Sequence, residues 1–123
     1  MKCLTKAALA AAQAESFGVR AEVDWREGYT VLVNAPGPTA QAVAVAREVV
    51  GAARVNAAAP ALTASEDFAF MLNARPGAFV RLGSAYEGRE SAMLHSPHFD
   101  FNDAALPIGA SFWGRLVETV LAK

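Results

Sequence analysis

Very little of what usually announces a function is present in this chain. A single cysteine, Cys3, stands among 123 residues, so no internal disulfide can form and nothing asks for an oxidising compartment. Charge of one sign is also missing: 11 Lys and Arg against 12 Asp and Glu leave a net charge of −1. That balance excludes the electrostatic footprint of a nucleic-acid binder or a polybasic membrane module. No apolar run approaches the roughly 18 residues that a membrane span requires. There is no Cys-x-x-Cys, no His-Glu-x-x-His, no glycine-rich phosphate loop and no Gly-x-Ser-x-Gly. Catalytic residues are therefore not assignable from any complete local motif. The expectation is a cytoplasmic α/β piece, either one domain or part of something larger.

What is there is apolar but small. Hydrophobic residues make up 54% of the chain, much of it alanine, including Ala10-Ala11-Ala12 and Ala57-Ala58-Ala59. A compact chain of this length would bury roughly two-thirds of its unfolded surface, though alanine thins the core. Lys2 and Lys6 ahead of Ala7 to Ala12 imitate a signal peptide. The run is too short, and Gln13 and Glu15 end it, so an alanine-rich helix is the better reading.

The pattern predicts a helix over 2–17, closed by Gly18. Val19, Ala21, Val23 and Trp25 then alternate with polar residues as a half-buried strand does. Tyr29 to Val33 is a second β-rich run, and Asn34-Ala35-Pro36-Gly37-Pro38 marks a hinge or boundary. Thr39 is expected to cap a helix to Val50 with Val43, Ala46, Val49 and Val50 on its apolar side, stopped by Gly51. Ser65 is expected to cap another helix, with Glu66 and Asp67 in its first turn. Residues 78–83 read as a short buried strand, Gly83-Ser84-Ala85 as a turn, and 84–91 as a polar loop. A last helix is expected over 103–122, with Ile108, Phe112, Leu116 and Val120 at four-residue spacing.

Three places could carry chemistry. Both histidines fall in Leu94-His95-Ser96-Pro97-His98-Phe99-Asp100-Phe101-Asn102-Asp103. Neutral imidazole is a common metal ligand, with carboxylates to orient its second nitrogen. An ordinary reading stands beside it: Asn102 or Asp103 caps the last helix, and the histidines are loop residues. Ser65-Glu66-Asp67 could supply ligands or a base, but capping and the helix dipole explain it without function. Cys3 has no histidine near it in sequence to activate it.

Three ordered blocks carry more than any of these alone: Ala64-Ser65-Glu66-Asp67-Phe68-Ala69-Phe70-Met71-Leu72, Pro76-Gly77-Ala78-Phe79-Val80-Arg81-Leu82-Gly83, and the histidine block from Leu94 to Asp103. With Gly109-Ala110 and Trp113, they resemble the C-terminal end of the hippurate hydrolase branch of the aminoacylase/carboxypeptidase metallo-amidohydrolases. Gly28-Tyr29 and Val33-Asn34 are similar to the segment where that family's lid returns to its catalytic domain. The resemblance implies an α/β catalytic domain: residues 34–123 would be its C-terminal portion. Residues 1–33 would be the last helix and strand of a ferredoxin-like lid (dimerisation) domain.

The same resemblance implies an N-acyl amino acid substrate and two divalent cations per site, drawn from zinc, manganese, cobalt or nickel. It maps one metal ligand onto His95 and a substrate-binding residue onto Asn34; His98 falls at no ligand position. Thr30 stands where the family usually has proline, and Ala35 where it often has a polar residue. The family's other ligands and its general-base glutamate lie ahead of the lid, and none of those motifs occurs here. Two-metal hydrolysis needs a bridging water and a carboxylate to deprotonate it, which one histidine does not provide. The expectation is therefore a C-terminal fragment that is inactive alone, holds no stoichiometric metal, and forms a homo-oligomer through exposed edges such as 19–25. The competing expectation is a stand-alone non-catalytic oligomeric binding module.

Overall fold

The computed structural model describes the backbone of residues 2–122 and the side chains of residues 5–122. Four helices follow in order: α1 (Lys2–Ser16), α2 (Pro36–Val50), α3 (Phe68–Ala74) and α4 (Ala105–Leu121), with one 3₁₀ turn at Ala52–Arg54 after α2. Cys3 lies in α1, but its side chain is outside the described residues.

Each helix end has a local cause. The alanine run propagates α1, and Gly18 stops it by turning left-handed at φ +68°. The Val19 N–H then reaches the Ala14 carbonyl at 3.1 Å, and the Gly18 N–H the Glu15 carbonyl at 2.9 Å. That pair of bonds is a Schellman closure. Helix α2 begins at Pro36, three residues before the expected Thr39 cap. Proline costs nothing in a first turn, where its missing N–H would have had no partner. Thr39 instead donates its hydroxyl back to the Ala35 carbonyl at 2.7 Å. Gly51 ends α2 with φ +82°, its N–H on Arg47 O at 3.0 Å.

Helix α3 starts at Phe68, and Ser65 does not cap it: Asp67 holds the N-cap position without a side-chain hydrogen bond. The last helix starts at Ala105 rather than 103. Asn102, not Asp103, serves its entry by accepting the Ala104 N–H at 3.0 Å.

Helices α2 and α4 pack together and supply three of the four buried core residues among those described, Ala69 of α3 being the fourth. Val45 is completely buried, with Ala42 and Ala105 nearly so. The buried stripe of α2 thus runs one residue off the expected one, since Val43, Ala46, Val49 and Val50 are only half-buried. Which stripe closes depends on where α4 lies. On α4, Ile108, Phe112 and Leu116 are half-buried as the spacing predicts, while Val120 is exposed. Arg115 bridges the pair, its Nε 2.8 Å from Glu48 Oε2 and its Nη1 3.1 Å from Glu118 Oε2.

The expected strands do not form. Among the described residues, 19–25, 29–33 and 78–83 are irregular, and no backbone–backbone hydrogen bond joins residues 20–33 to anything. Val19, Val23, Trp25, Val31 and Val33 are exposed. A strand's hydrogen bonds must come from a neighbour, and none of these segments has one here.

Candidate functional site

The two residues singled out by resemblance sit in different local structures. Asn34 precedes α2 and is half-buried. Its Nδ2 donates to the Phe79 carbonyl at 3.0 Å, and its Oδ1 accepts the Phe79 N–H at 2.8 Å. The carboxamide thereby imitates a peptide unit and satisfies both backbone groups of Phe79 at once. One residue on, the Ala35 N–H reaches the Gly77 carbonyl at 2.9 Å. Gly77 itself lies under α3: a Cβ there would stand 2.9 Å from Leu72 Cδ2. Further along α3, Asn73 Nδ2 reaches Thr30 Oγ1 at 3.3 Å, Phe70 meets the Tyr29 ring at 5.8 Å, and Phe68 meets Phe79 at 5.8 Å. Residues 29–35 are thus tied to 68–79 mostly by side chains, with a single backbone bond.

His95 is exposed and has φ +68°, the one non-glycine residue in the left-handed region among those described. The Ser96 N–H donates to the Met93 carbonyl at 3.1 Å, so His95 is the third residue of a tight turn. Glycine or asparagine is the usual occupant of that position, and a side chain there costs energy. A second turn follows directly, with the Phe99 N–H on Ser96 O at 3.0 Å and the His98 N–H on Ser96 Oγ at 3.2 Å. Such strained residues cluster at functional sites, where the side chain is wanted in a direction the backbone resists.

The ends of this histidine segment are held by a clasp that sequence reading missed. Arg89 stacks 3.8 Å over the Tyr86 ring and pairs through Nη2 with Asp100 Oδ2 at 2.5 Å. The Tyr86 hydroxyl donates to Phe101 O at 3.1 Å, and Asn102 Nδ2 donates to Ala85 O at 3.3 Å. Desolvation first, then the Asp100 carboxylate, holds the Tyr86 phenol above its ordinary pKa. The sequence signal was only a tyrosine and an arginine three apart in a polar loop.

Other candidates come to less. His98 is exposed, and Asp103 and Ser65 are exposed without a side-chain partner among the described residues. No hydrogen bond or ion pair among the described residues links Asn34 to the His95 turn. Nor do three His, Cys, Asp or Glu side chains gather anywhere among them into a group that could hold a metal ion. None of the described helices is long and apolar enough to cross a membrane.

Over residues 5–119 the chain matches the model of Peptidase family M20/M25/M40, and it belongs to that family. It is 29% identical over 96 residues to a probable hydrolase of Synechocystis sp., a match covering 77% of this chain and 24% of that protein. Two IAA-amino acid hydrolases of Arabidopsis thaliana are also similar. ILR1-like 6 is 38% identical over 64 residues, 51% of this chain and 14% of that protein. ILR1-like 4 is 45% identical over 63 residues, 50% of this chain and 14% of that protein. No solved structure matches. The chain thus spans a quarter or less of the length of these curated relatives. The hippurate hydrolase-like resemblance holds as membership of this family, which is generally metal-dependent. The described residues do not by themselves fit the divalent ions so implied, because no three His, Cys, Asp or Glu side chains gather among them around His95 or elsewhere.

Proposed function

We propose that this chain is the C-terminal portion of a metal-dependent amidohydrolase that cleaves N-acyl amino acids, in the manner of hippurate or IAA-amino acid hydrolysis. Residues 1–33 would close the lid domain, and 34–123 would belong to the catalytic domain. The observation that carries this reading is the family match over 5–119, a span that includes His95 at its left-handed turn. In this reading the chain contributes the His95 imidazole as one metal ligand, alongside ligands supplied by other residues. Asn34 acts beside the substrate by fixing the Phe79 backbone, since both polar atoms of its side chain are engaged there. The general base and the remaining ligands must come from polypeptide outside this sequence. A cytoplasmic location accords with the lone cysteine.

The test is release of benzoate from N-benzoylglycine, with manganese, zinc or cobalt added. The chain is assayed alone, then mixed with the N-terminal portion of a family relative. The expected result is no turnover alone and metal-dependent turnover in the mixture, abolished by His95→Ala. Turnover by the chain alone would overturn the incompleteness of its site. Failure of a folded, associated mixture would leave the non-catalytic binding module as the better account.

A further inference from the structure

The Tyr86–Arg89–Asp100 clasp closes a loop, and His95 stands at its tip. Three side-chain contacts cross between the two limbs in antiparallel order. Asn102 Nδ2 meets Ala85 O at 3.3 Å, the Tyr86 hydroxyl meets Phe101 O at 3.1 Å, and Arg89 Nη2 meets Asp100 Oδ2 at 2.5 Å. Among the described residues, no backbone–backbone hydrogen bond joins these limbs. Side chains thus stand in for the ladder of a hairpin. Arg89 reaches both of its partners because the chain doubles back at Gly88, whose φ is +75°. The Tyr86 N–H, donating to Ser91 Oγ at 3.2 Å, closes that reversal. The guanidinium then lies 3.8 Å over the Tyr86 ring while its Nη2 holds Asp100.

Within the clasped loop His95 is left-handed, a backbone that an unrestrained non-glycine residue disfavours by roughly five- to thirtyfold. The bond from the Ser96 N–H to Met93 O does not demand that strain, because the same bond closes turn types with no left-handed residue. What selects the strained turn is where the two limbs must arrive. We infer that Arg89 is a positioning residue for His95. By pinning Asp100 against Tyr86 it fixes the span of the loop, and the loop fits that span with His95 left-handed. The inference rests on the reading of His95 as the side chain that this segment contributes. Arg89 and Asp100 are 57% and 61% exposed, and a lone pair so placed holds little. Here the ion pair, the ring face and two carbonyl bonds act on the same two limbs, and their effects reach His95 together.

Nuclear magnetic resonance of the labelled full chain reads this with neither metal nor substrate, so its outcome is separate from that of the hydrolysis assay. A left-handed residue brings its own N–H and Hα close together. His95 should therefore show a strong cross-peak between them. Arg89→Ala should lower the ratio of left-handed to other backbone at His95 at least about threefold. Arg89→Lys, which keeps a cation over the ring, should restore most of it. Helical circular dichroism should stay unchanged in both. Arg115→Ala removes an ion pair of similar exposure between α4 and α2, and should leave the His95 signal unmoved. An unchanged His95 signal in Arg89→Ala would overturn the inference. So would an equal loss in Arg115→Ala, a lysine variant no better than alanine, or a parent chain in which His95 is not left-handed. If Arg89→Ala loses helix, Asp100→Asn, which removes only the charge, decides by the same signal.

Discussion

The α2–α4 pair and residues 19–33 are both rich in apolar side chains, but they meet opposite fates. In the pair, Val45 is sealed from solvent and two helices hold each other. In 19–33, Val31 is 76% exposed and no backbone–backbone hydrogen bond among the described residues engages 20–33. A helix closes its hydrogen bonds within its own segment, so two short helices need only one shared apolar stripe to persist. A strand borrows every bond from a neighbour and gains nothing until the neighbour arrives. The same apolar content is therefore structure in one region and unclaimed surface in the other.

The largest test of that contrast pairs two valine truncations. Val45→Ala should cost about 2 kcal/mol, because it opens a void where nothing can collapse. Val31→Ala should fall within about 0.5 kcal/mol of the parent. Denaturant titration of each variant measures both, and equal losses would break the contrast.

Asn34 stands where 19–33 gives way to α2 and anchors that junction to the Phe79 backbone. Asn34→Ala should cost about 1–2 kcal/mol, since it orphans the half-buried N–H and carbonyl of Phe79. Hydrogen exchange should show the Phe79 amide losing protection first. Unchanged exchange at Phe79 would mean that the side chain does not hold this junction.

At the histidine turn the sign reverses. His95→Gly should stabilise the chain by about 1 kcal/mol, because glycine takes φ +68° without a Cβ penalty. The same variant should abolish turnover in the mixed assay. A histidine retained at a cost in stability is what a functional side chain would show; a destabilised glycine variant would remove that argument.

The smallest effect concerns alkaline pH. Tyr86 has a raised pKa, so the folded state holds its proton more tightly than the unfolded state does. The associated stability is complete below the ordinary tyrosine pKa near 10 and is lost as pH rises through the higher folded value. Tyr86→Phe should flatten the fall in melting temperature above that pH. An identical slope in the variant would show that the clasp is open in solution.

Much of the helical frame was legible beforehand because its signals are local. Gly18 and Gly51 stop helices where sequence places them, and the spacing of Ile108, Phe112 and Leu116 marks the packed side of α4. The errors arose where a local signal competed with another. Thr39 looked like a cap, but Pro36 and Pro38 suit the first turn itself. Ser65 looked like a cap as well, yet α3 begins only at Phe68, where Gly77 admits Leu72 and Phe68 meets Phe79. Of the candidate site, the histidine block was visible as composition. The left-handed backbone at His95 and the Tyr86–Arg89–Asp100 clasp were not, since each depends on segments closing a loop.

Sequence by itself determined the helices, their glycine stops and the ordered blocks that place this chain in its family, because all of these are written within a few neighbouring residues. Tertiary structure alone decided that Asn34 spends its amide on Phe79, 45 residues away, and that the α2 stripe through Val45 is the one that closes. It alone decided that the β-patterned segments stay unpaired. Burial and strand pairing are properties of two surfaces, and one stretch of sequence specifies only one of them.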